Sequence, residues 1–334
     1  MHKFSPKKVL VLGSNSFGGA CTVNQLLDMG CQVIGASRSA EPHDIFLPYK
    51  KNKNVAAFEF YQLDINQDYE KLIQLISKTE PDTILDFAGQ GMVAPSWVTP
   101  EQWYETNIVA KVKLHNFLKD QTFLKRYLRV STPEVFGNQQ ATITEDMAYA
   151  PSTPYAVSHA AIDMSLNAFY KHHQFPVIIT RFANFYGPSQ QLYRIVPRAF
   201  ISALANEMLP LHGGGTSIRA FIYGDDVAEG IIKSLMYGDI GQAYHFSTDE
   251  FISIYDLVQK VAAISGVDFE QFVQVAEARP AKDHAYVMST EKAQRELEWR
   301  PKVNLEQGLL ASCEWVRENL AAIKPMTREY VHKA

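Results

Sequence analysis

The first spacing that could do chemistry lies near the amino end, in Gly13-Ser-Asn15-Ser16-Phe17-Gly18-Gly19. Gly13, Ser16 and Gly19 hold the three key positions of a G-x-x-G-x-x-G dinucleotide fingerprint, with serine in place of the middle glycine. In that pattern the glycines permit a tight turn, close approach of a pyrophosphate, and tight helix–strand packing. The Ser16 hydroxyl could contact ribose or phosphate where bare backbone would otherwise face the ligand. The turn follows an apolar run and opens a helical stretch, so a pyrophosphate there would meet the helix's positive end. Further on, "VIGASRS" sets Ser37 and Arg38 at the next strand end, with no acid before Glu41. An acid suits a free ribose 2′-hydroxyl, whereas arginine pairs with a 2′-phosphate and stacks on adenine. The expected cofactor is therefore NADP, with NAD as the alternative.

These residues need elements to hold them. Runs that fit buried strands fall at Val9–Leu12, Gln32–Ala36, Ala57–Leu63, Thr83–Ala88, Tyr127–Ser131 and Val177–Phe182. Helical period marks Thr22–Met29, Asp68–Lys78, Trp103–Lys119 and Tyr155–Lys171. The alternation predicts an α/β fold, a Rossmann-type doubly wound parallel sheet covered on both faces. Past residue 183 the alternation weakens, and Pro and Gly cluster at Tyr186-Gly-Pro188, Pro197 and Gly213-Gly-Gly215. The expected division is 1–182 for the NAD(P)-binding unit, with a later contribution from about 221–245. Segments 183–220 and 246–334 would form a smaller substrate-binding lobe over the carboxyl ends of the strands.

Composition narrows the classes. The 334 residues are 46% hydrophobic and 20% charged, enough for a substantial core. A net charge of −4 argues against a broad grip on nucleic acid. No apolar run approaches the ~20 residues that span a bilayer, and the short basic start has no signal-peptide pattern. Cys21, Cys31 and Cys313 lack metal or disulfide spacing, which suits a reducing compartment, so the expected location is cytoplasmic. His172-His173 have no third ligand at metal spacing, and no nucleophile elbow is present, so no metal site is expected.

Two more stretches, "VSTPEVFG" at 130–137 and "STPYAVSHAAIDM" at 152–164, join the glycine turn in a resemblance. Together they resemble the extended short-chain dehydrogenase/reductase family, specifically the nucleotide-sugar (dTDP-glucose or GDP-mannose) 4,6-dehydratases. "YQLDI", "FAGQG", "ETNIVA", "RFANFYGP", "LPLHGGGTSIR" and "RELEWRP" follow in the family's order, so the resemblance covers nearly the whole chain. It implies that Asp64, Ile65, Ala88, Gly89, Thr106 and Ser131 join the turn residues, Tyr155 and His159 around the cofactor. It also implies that Asn184, Arg194, Ile195 and Arg219 hold the nucleotide diphosphate. His212, His245, Arg279 and Tyr286 would close that pocket, and Gln90, Ser96 and Gln190 would reach the hexose. Arginine suits a diphosphate because its planar fork grips two oxygens at once. The helices 103–119 and 155–171 match the family's four-helix dimer interface, so a homodimer is expected.

In the family a tyrosine takes the proton of the sugar 4-hydroxyl, and a lysine four residues on lowers its pKa and holds the nicotinamide ribose. Tyr155 fits the tyrosine. Ser152 or Thr153 can cap its helix, Pro154 can begin it, and the helix dipole favours a phenolate. The residue four on is His159, whose unperturbed pKa of about 6.5 leaves it mostly neutral at pH 7. Three readings stand open: a protonated His159, a proton-relay water, or a slow or inactive enzyme. By the same resemblance Thr132 bonds the 4-oxygen and Glu134 removes the C5 proton. Pro133 stands where the family places an acid or serine that assists departure of the 6-hydroxyl. The expected function is an NDP-hexose 4,6-dehydratase that moves a hydride from C4 to C6 through bound NAD(P). The alternatives are an epimerase, decarboxylase or 4-ketoreductase of the same family, or a non-catalytic NADP-binding sensor.

Overall fold

A computed structural model of the chain describes residues 3–139, 141–277 and 287–333. Arg279 and Tyr286, expected at the nucleotide, lie outside the described residues. The first half supplies β1 (Lys8–Leu12), β2 (Gln32–Ser37), β3 (Phe58–Gln62), β4 (Thr83–Asp86), β5 (Arg126–Val130) and β6 (Val177–Phe182). The second half supplies β7 (Asn184–Tyr186), β8 (Leu209–His212), β9 (Ile218–Tyr223), β10 (Ala243–Phe246), β11 (Phe251–Ser253) and β12 (Val273–Ala276).

One seven-stranded sheet runs β10-β6-β5-β4-β1-β2-β3, every pair parallel. The chain reverses its direction of winding between β1 and β4, and such switch points open the crevice where α/β sheets bind ligands. The apolar runs are continuous because both faces are covered. Val9 and Val11 face a core with Val23, Leu26 and Ile231, from the helices Phe17–Asp28 and Gly224–Tyr237. Leu10 and Leu12 face the opposite core with Leu72, Leu114 and Leu166, from Tyr69–Thr79, Ala110–Leu118 and Pro154–His173. The period-2 alternation of strand side chains therefore divides one run between two cores.

A third core lies in the second half, where Phe200, Leu257, Val261, Leu309 and Val316 join the helices Ile195–Ala205, Ile254–Ser265 and Leu305–Ile323. Small sheets β11-β9-β7 and β12-β8 lie beside it.

One sequence expectation is corrected. The stretch 103–119 is not a single helix: Pro100–Tyr104 leads into a wide π turn at Glu105–Val109 before Ala110–Leu118 resumes α geometry. Asn107 gives a reason, because its side chain bonds sideways to the Gln90 backbone and the Ser158 hydroxyl. Such π turns often mark functional sites.

Candidate active site

The glycine turn is built by sterics. Gly13 has φ +85°, and a Cβ there would lie 2.9 Å from the Phe87 and Ala88 backbone. A Cβ on Gly19 would meet the Gly13 carbonyl at 2.4 Å, so the helix starts hard against the turn. Ser16 caps that helix: its Oγ accepts from Gly19 N at 3.1 Å and donates to Gly13 O at 2.7 Å. The hydroxyl therefore serves the turn, and Ser16 stays half-exposed at the helix end where ribose or phosphate was expected. No acid sits in the helix's first turn to offset its positive end. That end, at the switch point, fits a dinucleotide pyrophosphate.

At the end of β2, Ser37 Oγ accepts from Asn15 N at 3.1 Å, and Asn15 Nδ2 donates to the carbonyls of Ser39 and Ala40. Arg38 turns inward, its Nη2 3.5 Å from Gln90 Oε1. Asp64 folds back to bond Asn66 N, with Ile65 half-buried beside it. Thr106 accepts from Asn66 Nδ2 at 2.9 Å. Gly89 lies against Asn107, where a Cβ would be 2.7 Å from Oδ1.

No motif announces what crosses this region. After Leu305–Ile323 the chain runs back over the carboxyl ends of the strands. Arg328 pairs with Glu207 at 2.9 Å and Glu329 with Arg198 at 2.8 Å. The Tyr330 ring packs edge-on to Tyr193, and His332 stacks on Trp103 with centroids 5.1 Å apart. Lys333 accepts from Gln90 Nε2 through its carbonyl and donates to Ser39 Oγ. Gln90, expected at the hexose, thus joins Arg38 to this closing segment.

Thr132, Glu134, Tyr155 and His159 converge. Thr132 caps the short turn Pro133–Phe136 that follows β5, accepting from Glu134 N at 3.3 Å. Thr153 caps the helix Pro154–His173 through Ala156 N, and Pro154 begins it. Tyr155 therefore sits in the first turn, with Ser96 Oγ accepting from its backbone N–H at 3.2 Å. The Tyr155 and His159 rings are 4.6 Å apart. The Tyr155 phenol is pushed up to about 12 by burial and then by Glu134, against a Thr132 hydrogen bond, Arg194 and Arg129.

Behind His159 lies a buried polar floor that sequence reasoning missed. Lys111 Nζ touches both Asp86 oxygens at 2.6 and 2.7 Å. Arg129 Nη2 lies 2.9 Å from His159 Nδ1, and Arg181 pairs with Asp163 at 2.9 Å. All these side chains but His159, at 8%, are at most 1% exposed. Burial first, then Arg129 and Lys111, hold His159 well below the usual imidazole range. Of the three readings of His159, these surroundings favour a neutral ring over a protonated one. Burial and Arg129 push Lys111 down to about 7, while Asp86 pulls it upward. Ser131, expected at the cofactor, gives its hydroxyl to Asp163 at 2.7 Å. His115 and Tyr127, bonded at 2.9 Å, are both fully buried, too deep to meet a substrate. A signal for the floor existed: Asp86 and Arg129 interrupt runs read as buried strands, where unpaired charge is costly.

On the substrate side, Arg194 precedes the helix Ile195–Ala205, exposed and over the Tyr193 ring at 5.2 Å. Asn184 is exposed at the start of β7, and Ile195 is half-buried. His212 lies near Glu277 O at 3.1 Å, and Arg219 donates to Ile218 O at 2.7 Å. Gln190 donates to Phe185 O. His245 does not close a pocket: it is fully buried in β10, 3.3 Å from Arg181, because that strand joins the main sheet.

Comparison with known proteins fits this geometry. Residues 10–311 match the family GDP-mannose 4,6 dehydratase. The chain belongs to that family. It is 32% identical over 274 residues to human dTDP-D-glucose 4,6-dehydratase, covering 80% of this chain and 77% of the relative. It is 28% identical over 327 residues to a trifunctional UDP-glucose 4,6-dehydratase/UDP-4-keto-6-deoxy-D-glucose 3,5-epimerase/UDP-4-keto-L-rhamnose-reductase of Arabidopsis thaliana. That match covers 96% of this chain, which spans about half (48%) of the relative's length. The crystal structure of dTDP-glucose 4,6-dehydratase from Bacillus anthracis, in complex with NAD, superposes with TM-score 0.85 at 27% identity, covering 96% of this chain and 99% of that one. An NAD(P) site of Rossmann type is common ground. Among the described residues no helix is long and apolar enough to cross a membrane.

Proposed function

We propose that the chain is an NDP-hexose 4,6-dehydratase, yielding an NDP-4-keto-6-deoxyhexose. The observation that carries this is the meeting of Tyr155, Thr132 and Glu134 at one point beside the dinucleotide crevice. When bound, the nicotinamide supplies a hydride acceptor and donor. Tyr155 takes the proton of the 4-hydroxyl while Thr132 orients that oxygen. A ketone at C4 then acidifies C5, and Glu134 withdraws that proton as the 6-hydroxyl leaves. Pro133 has no proton to give, so the leaving group is protonated by Glu134 or by water. Arg194 and Arg219 are assigned to the diphosphate, with Asn184 and Ile195 beside the nucleotide.

Glu134 favours elimination over 4-epimerisation, which needs no base at C5. The finer cofactor choice is NADP, supported by Ser37 and Arg38 at the end of β2, although the B. anthracis relative carries NAD. A homodimer through the helices around 103–119 and 155–171 is supported by Val109, Val157 and Met164, all exposed there. Three buried free thiols suit a cytoplasmic setting.

The test is incubation with candidate NDP-hexoses in deuterated water. A 6-deoxy-4-keto product labelled at C5 is expected. Recovery of a 4-epimer, or consumption of added NADPH, would replace the dehydratase reading with its relatives. Parallel titrations with NADP and NAD, followed by fluorescence, test the cofactor choice.

A further inference from the structure

Burial of charge under Tyr155 raises a question that resting on the dehydratase reading makes sharper: where does the cation of the missing lysine come from? We propose that Arg129 supplies it, acting on Tyr155 through a neutral His159 whose tautomer it fixes; Arg129 is thus a positioning residue of the reaction.

Geometry assigns the protons. A guanidinium has donors only and stays charged at any working pH. At 2.9 Å from Arg129 Nη2, His159 Nδ1 must accept, so the ring proton resides on Nε2. The imidazole passes the charge's polarising effect along one hydrogen bond, with its ring centroid 4.6 Å from that of Tyr155.

Charge pairing then isolates Arg129. With Lys111 protonated, three cations, Lys111, Arg129 and Arg181, face two carboxylates, Asp86 and Asp163. Lys111 takes Asp86 at 2.6 Å and Arg181 takes Asp163 at 2.9 Å. Arg129 keeps only long approaches, 3.5 Å to Asp86 and 3.9 Å to Asp163. Its close partner is the histidine nitrogen, so its charge is the one left to act towards the phenol. The groups around His159 are Asp86 from β4, Lys111 from the helix behind, Arg129 from β5, and Tyr155 and Asp163 from its own helix. Glu134 and Arg194 act on Tyr155 from the far side, with opposite signs.

This arrangement is compatible with histidine in place of lysine. A lysine at 159 would add a further fixed cation beside Arg129 and Lys111, which like-charge repulsion in a buried site disfavours.

The test uses the full chain labelled with ¹⁵N-histidine, the His159 signals assigned by their loss in His159→Gln. Between pH 6 and 8, wild type and Arg129→Lys are expected to show a neutral His159 with bare Nδ1. In Arg129→Met the donor that fixes the tautomer is gone, so the form with a bare Nδ1 should no longer be the sole one. A His159 that carries a proton on Nδ1 in wild type overturns the proposal, and this arm needs no Arg129 variant to fold. The second readout is turnover at one fixed pH. A folded Arg129→Met should lose roughly 10- to 100-fold while Arg129→Lys keeps most of the rate, a split by charge that structural damage alone would not give. Equal turnover in wild type and a folded Arg129→Met also overturns it. Failure of the wild type to convert any NDP-hexose would sink the dehydratase reading instead, and the NMR arm would still decide on Arg129.

Discussion

The glycine turn and the catalytic floor lie at neighbouring strand ends, yet they are coded in different ways. The turn is coded in backbone: Gly13 must have no Cβ because of φ and a 2.9 Å approach, and Gly19 because of a 2.4 Å one. Its middle position accepts serine, since the side chain folds back into the cap. The floor is coded in side-chain charge, where several residues trade roles. His159, Arg129, Lys111 and Asp86 form one coupled set, so a change at one position alters the partners of the others. A single added Cβ breaks the backbone-coded site, whereas the charge-coded one breaks through a lost charge or hydrogen-bond partner.

The sharpest way to break this comparison is at the phenol. Tyr155→Phe should lower turnover by about 10³-fold while leaving dinucleotide binding within a few-fold, since positioned acid–base groups contribute 10²–10⁴. Equal turnover in the variant would remove Tyr155 from the chemistry.

The floor should also announce itself in acid. Burial holds His115 down to about 3 and puts His159 and His245 well below the usual range. The unfolded chain binds those protons near pH 6.5 and the folded one does not, so stability is fully present above that pH and is lost as pH falls below it. Three such rings should cost about 4 kcal/mol between pH 7.5 and 5.5, read by urea unfolding. A loss below about 1 kcal/mol would mean that the rings titrate normally in the fold.

At the turn, Gly13→Ala should cost about 2 kcal/mol from the left-handed backbone and the contact with Phe87 and Ala88, with weakened dinucleotide binding. Smallest of all, Ser16→Gly should cost only a few tenths of a kcal/mol, because glycine is itself tolerated at an N-cap. A large loss of dinucleotide affinity in Ser16→Gly, measured by titration calorimetry, would show that the hydroxyl reaches the ligand after all.

The same contrast explains what the sequence made legible. The parallel sheet was readable because short apolar runs such as Val9–Leu12 in β1 and Val177–Ile179 in β6 alternate with segments of helical period, and the turn because glycine spacing is a direct record of sterics. The convergence of Thr132, Glu134 and Tyr155 was readable through motif order. Arg129 and Lys111 were not, since a lone charge in a sequence does not name the partner that neutralises it. The π turn at 105–109 escaped because its apolar period is nearly helical. His245 was misplaced because β10 enters the main sheet from far along the chain, a contact that local pattern cannot see.

The strap from Arg328 to Lys333 has a practical consequence. Its bonds reach Glu207 and Arg198 on one side and Gln90 and Ser39 on the other, so the peptide bond after Arg328 should be cut faster when those ties loosen. Brief trypsin digestion, with and without dinucleotide, therefore turns the chain's last residues into a built-in gauge of how far the mouth stands open.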